Sequence, residues 1–186
     1  MNHHSLHYKL RGIFLPLFLI VLDQITKYLA VRELKGEESR PLISGLLGFT
    51  YVENRGMSFG LLQGQRVLFL ILTVLICAVL VYIYLKIPET KRFRALSVCV
   101  LFVLAGALGN FIDRARQGYV VDFIELQFIR FPVFNVADCY ITWTAVILAL
   151  LLLFRYKEEE LQEIERSLRA KAEEYARSCS QAEQKP

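Results

Sequence analysis

Four long apolar stretches, Gly12 to Val31, Val67 to Leu85, Ala95 to Ile112 and Phe134 to Phe154, constrain this chain more than any other feature. A helix rises about 1.5 Å per residue, so roughly 17–25 residues cross the ~30 Å hydrocarbon layer of a bilayer. The first, second and fourth stretches reach that length, and the third needs its flanking residues to do so. With 55% of its 186 residues apolar, the chain has too little polar surface to enclose one soluble core. The expected fold is an all-α polytopic membrane protein with four transmembrane helices. These helices are expected to form one unit over residues 1–156, with outward loops at 32–66 and 113–133 and a charged tail at 157–186. A cleavable targeting segment has an apolar run of only about 7–15 residues. The first stretch is instead longer and interrupted by Asp23, so it is expected to be retained.

Four crossings place both termini on one side. Thirteen of the 22 Lys and Arg residues fall on that side, including the tight loop from Lys86 to Arg94, against eight on the other. Short basic segments beside helix ends favour the cytoplasm, so both termini are expected there and the longer loops outside. The net charge of +4 is accounted for by basic residues beside anionic lipid headgroups, with no nucleic acid required.

The first outward loop carries glycines at 45, 48, 56, 60 and 64, among others, around the alternating run Phe49, Thr50, Tyr51, Val52. This pattern predicts a small extracytoplasmic β element lying on the membrane surface. The second loop carries Val120, Val121, Phe123, Ile124, Phe128 and Ile129, and is expected to lie among the lipid headgroups. Together the two loops are expected to form a lid. In the tail, Leu161, Ile164, Leu168, Ala172 and Tyr175 recur at helical spacing, which predicts an amphipathic cytoplasmic helix, either solvated, on the membrane surface or paired in a coiled coil.

A charged side chain at membrane depth is costly unless paired or hydrated. Asp23 and Lys27 are four residues apart on one helix face, where they can pair with each other or meet a substrate. Gly106 and Gly109 remove side chains and permit close helix approach. Asp113 with Arg114, beyond Asn110 at the end of the third stretch, reads as an interfacial charge cluster.

Two further aspartates suggest chemistry. Asp122 lies between Val121 and Phe123, where lost hydration raises the pKa of a carboxyl group. Asp138 follows Asn135 where the chain re-enters the membrane, and the intervening segment can loop back. Two carboxyl groups about 3 Å apart share a proton. The ionised member can then activate water while the protonated one polarises a peptide carbonyl, hydrolysis that needs no metal and no cofactor. The plainer alternative is a pair of aspartates that solvate a loop.

His3, His4 and His7 are the only histidines and lie on the cytoplasmic side, so an outward Cys/His or Ser/His site has no base. Ser58 with Lys27 is the rival nucleophilic mechanism. Cys77, Cys99, Cys139 and Cys179 are scattered and offer no disulfide framework or metal pair. A channel or transporter would string Asp23, Lys27 and Asp138 through the bilayer, whereas the polar residues gather toward the outer face.

Five segments, LDQITK (22–27), ENRGMSFG (53–60), GALGNFIDR (106–114), GYVVDF (118–123) and FNVAD (134–138), occur in order around the four apolar stretches. In this respect the chain resembles the lipoprotein signal peptidase (signal peptidase II) family over nearly all its length to Phe154. Met57 and Ser58 stand where that family commonly has alanine, and Cys139 where a small residue is usual. The resemblance implies an aspartyl endopeptidase of the bacterial inner membrane that cleaves diacylglyceryl-modified prolipoproteins just before the lipid-bearing cysteine. It assigns Asp122 and Asp138 as the catalytic pair near the outer face. Asn54, Gly56, Asn110, Arg114 and Asn135 become site-lining or substrate-binding residues, and Asp23 and Lys27 a supporting pair. It also implies contact with membrane lipid and inhibition by cyclic peptides that mimic the substrate.

Overall fold

The computed structural model describes residues 3–56 and 65–156, together with positions 158, 159, 162 and 166. In chain order the elements are α1 (His3–Leu34), β1 (Arg40–Ile43), β2 (Leu47–Asn54), α2 (Arg66–Lys86), α3 (Arg94–Gln117), β3 (Val120–Leu126) and α4 (Val136–Phe154). Met57, Ser58, Gly60 and Gly64 of the first loop, and nearly all of the tail helix, lie outside the described residues.

All four helices are long and apolar enough to cross a membrane, the shortest being the 19 residues of α4. Their outward faces carry large apolar side chains such as Phe14, Phe18, Val67, Leu75, Trp143 and Leu153, all more than half exposed. A soluble domain would not leave so much apolar surface uncovered; in a bilayer these faces meet lipid. The chain is a multi-pass membrane protein. Helix α3 is the central one, packed against α1, α2 and α4.

Two apolar clusters close the bundle at opposite ends. At the end bearing the termini, Tyr8, Tyr84, Ile87, Phe93, Leu101, Leu104 and Tyr156 pack together. The Tyr8 and Tyr84 rings stack with centroids 4.6 Å apart, and each hydroxyl donates to the other residue's backbone carbonyl. At the far end, Ala30 and Leu34 of α1 meet Val121 and Phe123 of β3.

Helices α1, α2 and α3 outrun their apolar stretches, whereas α4 begins two residues inside its own. Helix α3 has 24 residues and ends at Gln117, so Asp113 and Arg114 belong to the helix and not to the second loop. The third stretch thus gains its spanning length from a polar extension. Gly118 ends it in the left-handed region at φ 83°, and its N–H bonds to the Arg114 carbonyl at 3.2 Å. One further residue leads into β3.

The second loop differs most from its expectation. Val120, Val121 and Phe123 are buried in β3, not spread among headgroups, whereas Phe128, Ile129 and Phe131 remain exposed. The antiparallel sheet has the order β1-β2-β3, so it draws its strands from both outward loops. A run such as Val120 to Ile124, apolar except for Asp122 and buried at consecutive positions, suits a strand covered on both faces, which removes the alternation that marks a half-exposed one. The chain then doubles back: Phe134 bridges Ile124, with Ile124 N–H donating to the Phe134 carbonyl at 2.8 Å. That return carries Asn135 to the side of Asp122.

Small residues make the helix crossings close. A Cβ at Gly106 would lie 2.6 Å from the Ala137 carbonyl oxygen and 2.8 Å from Ile141 Cγ1. Gly106→Ala is therefore expected to push α3 and α4 apart and to destabilise the protein by about 1–3 kcal/mol. A lowered unfolding temperature of the detergent-purified variant is the measurement; an unchanged one would show that the crossing can yield.

Candidate active site

On α1, residues Leu19, Asp23, Lys27, Ala30 and Leu34 are all buried and recur every three or four positions, so the two charged groups share the inner face. Asp23, Lys27 and Asp113 are 0, 3 and 5% exposed. Lys27 Nζ lies 3.0 Å from Asp23 Oδ2 and 3.0 Å from Asp113 Oδ2. Gln24 adds a hydrogen bond from Nε2 to Asp113 Oδ1 at 3.0 Å. The Asp113 cluster is thus interior, not interfacial: once α3 extends to Gln117, Asp113 falls one turn beyond Gly109 on the face turned toward α1.

Asp122 and Asp138 come from different elements and meet through asparagines. The strand register pairs Asp122 with Val52 and Val120 with Asn54. Asn54 is therefore a diagonal neighbour of Asp122, and its Nδ2 donates to Asp122 Oδ2 at 2.9 Å. Asn135 caps α4: its Oδ1 accepts from Asp138 N at 3.0 Å, while its own N–H donates to Asp138 Oδ2 at 3.2 Å. This reciprocal capping box fixes Asp138 in the first turn of the helix. Asn135 Nδ2 reaches Asp122 Oδ1 at 2.6 Å, and Asn110 Nδ2 reaches Asp138 Oδ1 at 2.8 Å. All four carboxylate oxygens of the pair accept a hydrogen bond.

The amide orientations follow from partners that can only donate. Lys27 Nζ donates to Asn110 Oδ1 at 2.9 Å, which turns Asn110 Nδ2 toward Asp138. Gly56 N donates to Asn54 Oδ1 at 3.0 Å, which turns Asn54 Nδ2 toward Asp122. Asp138 N does the same for Asn135.

Burial, and then the charge of Asp138, push the Asp122 carboxyl up to about 6, against the opposing influence of the Asn54 and Asn135 hydrogen bonds and of Lys27. Asp122 is buried and Asp138 half-buried, so the pair has one enclosed member and one more open. Arg114 donates to the Gly56 carbonyl at 3.1 Å and stands over the Phe69 ring at 4.9 Å. It ties the end of β2 to α2 and α3 beside the two acids.

Every residue singled out from the sequence, Asp23, Lys27, Asn54, Gly56, Asn110, Arg114, Asp122, Asn135 and Asp138, enters this one connected network. Ser58 lies outside the described residues. Sequence reasoning missed Gln24 and the inward role of Asp113. The latter had a signal: Gly106, Gly109, Asn110 and Asp113 share helical spacing.

A multi-pass membrane protein that gathers paired acids and asparagines at one end of its helices belongs to the class of membrane-embedded enzymes. The comparisons with known proteins name the family. Residues 15–154 match the family model of signal peptidase (SPase) II. The lipoprotein signal peptidase of Caldanaerobacter subterraneus subsp. tengcongensis is 45% identical over 145 residues, covering 77% of this chain and 97% of that protein. That of Enterococcus faecalis is 44% identical over 120 residues, covering 64% and 73%. Among solved structures, a bacterial membrane enzyme superposes with a TM-score of 0.69 at 33% identity, covering 79% of this chain and 92% of that one. The chain belongs to the signal peptidase II family and is a peptidase.

Proposed function

We propose that this chain is an aspartyl endopeptidase that removes the signal peptide from diacylglyceryl-modified prolipoproteins, cutting just before the lipid-bearing cysteine. The observation that carries the aspartyl mechanism is the joint capture of Asp122 and Asp138 by Asn135, with every carboxylate oxygen hydrogen-bonded. Asp122, enclosed and raised to about 6, is the acid that carries the proton, to the extent that pH lies below that value. Asp138, more open, takes a proton from water as its oxygen attacks the scissile carbonyl, and Asp122 gives its proton to the carbonyl oxygen. Collapse of the tetrahedral intermediate returns a proton to the leaving amine and breaks the C–N bond. Asn110 and Asn54 hold the two acids in register, and Arg114 supports the end of β2 beside them.

The lipid-modified substrate reaches the pair sideways through the bilayer. The charge distribution supports both termini in the cytoplasm and the site near the outer face of the bacterial cytoplasmic membrane. Cyclic peptides that imitate the substrate are expected to compete for the same site.

The test is cleavage of a diacylglyceryl prolipoprotein by the purified chain in lipid, with product masses locating the cut. A new N-terminus at the modified cysteine and loss of turnover in Asp122→Asn and Asp138→Asn are expected. Native turnover in either variant sinks the aspartyl mechanism and returns attention to Ser58 with Lys27.

The raised Asp122 carboxyl adds a pH dependence. Its protonated fraction falls as pH rises through about 6, so kcat/KM is expected to decline on that alkaline side, with an apparent constant that belongs to the pair. Asn54→Ala removes a donor that favours the ionised form, so the decline moves to higher pH. A limb unmoved by this substitution would show that Asp122 does not set it.

A further inference from the structure

The buried ions do more than neutralise one another. Lys27 Nζ stands 3.0 Å from both Asp23 and Asp113, and each of these carboxylates also holds one peptide N–H. Ala137 N donates to Asp23 Oδ1 at 2.9 Å, and Val121 N donates to Asp113 Oδ2 at 3.2 Å. Ala137 and Val121 are the residues immediately before Asp138 and Asp122. The same device therefore occurs twice, once on each segment that carries an acid of the pair, and both copies close on one ammonium group.

We propose that Lys27, through Asp23 and Asp113, sets the spacing of Asp122 and Asp138, making the three of them positioning residues for hydrolysis. The inference rests on the aspartyl reading above. Lys27 also fixes the Asn110 amide that faces Asp138, so it acts on that acid through both backbone and side chain. Other contacts fit the same purpose. A Cβ at Gly109 would lie 2.6 Å from Asp23 Oδ2, so the missing side chain makes room for the carboxylate. Gln24 holds the second oxygen of Asp113. A buried ion pair is a poor source of net stability, because well-packed apolar groups of similar volume serve as well or better. What apolar groups cannot supply is a rigid bridge with fixed acceptors for two N–H groups on separate elements.

The experiment compares Lys27→Met, Asp113→Leu and Asp23→Leu, each purified in lipid, by steady-state cleavage and by hydrogen exchange at Val121 and Ala137. Displacing a reacting group by about 1 Å can cost ~100-fold in rate. Lys27→Met is accordingly expected to lose about that much in kcat with KM unmoved, and to speed exchange at both amides. Asp113→Leu, which leaves no acceptor, should release Val121 alone, and Asp23→Leu Ala137 alone, each with a smaller fall in kcat. Should Lys27→Met fail to fold, the two aspartate variants carry the test. Native kcat in folded Lys27→Met, or equal release of both amides in either aspartate variant, overturns the spacing role. Asp122→Asn and Asp138→Asn run in the same assay separate the two claims. If both are inactive while Lys27→Met keeps native kcat, only the spacing role fails; if either is active, the aspartyl reading fails.

Discussion

Asp138→Asn is expected to lower kcat by about 100- to 10,000-fold while leaving a folded protein. An amide cannot take a proton from water, and removing the proton acceptor of general base catalysis costs roughly two to four orders of magnitude. The fold should tolerate the change because the amide oxygen of the new side chain can still accept from Asn135 N and keep the cap of α4 closed. Asn110 Nδ2 then loses its acceptor, a cost of about 1 kcal/mol. At position 122 the same substitution leaves one amide facing a donor, either Asn54 or Asn135, with a similar small cost. Turnover and thermal unfolding measured on the same preparation separate loss of chemistry from loss of fold. A variant that melts normally and still cleaves would end the two-carboxylate mechanism.

Asn135→Ala should be nearly as severe for a different reason. The side chain accepts from Asp138 N at 3.0 Å and donates to Asp122 Oδ1 at 2.6 Å and to Asn110 Oδ1 at 3.2 Å. Alanine removes a helix cap and leaves buried polar atoms unpaired, together about 2–4 kcal/mol. It also frees the two acids from their shared clamp, and turnover should fall about 100-fold. Asn135→Ser divides these effects, since serine is a good cap but too short to reach Asp122. Its unfolding temperature should recover most of the alanine loss while its kcat does not. Full recovery of kcat would mean that Asn135 matters only as a cap.

The helices were legible because lipid-facing surfaces require unbroken apolar stretches, and β2 because Phe49 to Val52 alternate. Strand β3 was hidden because Val120, Val121 and Phe123 are covered on both faces, which erases alternation and imitates a loop lying in lipid. Asp122 and Asp138 stood out as acids in apolar surroundings, and Asn54, Asn110 and Asn135 through their motifs. Asp113 was misjudged because apolarity ends before the helix does. Hydrophobicity marks where lipid stops, whereas α3 continues as long as backbone hydrogen bonds and partners such as Lys27 and Gln24 support it. The two N–H groups held by Asp23 and Asp113 belong to the backbone and leave no mark on side-chain chemistry.

The shared ammonium bridge also bears on biosynthesis. Lys27 and Asp23 emerge from the ribosome with α1, Asp113 only with α3, and the Ala137 N–H last of all, with α4. A nascent chain halted before α4 holds an acid of α1 whose backbone partner has not been made. Completion of the final helix therefore supplies the last partner of Asp23 and the second acid of the pair together, so a chain halted before it has neither.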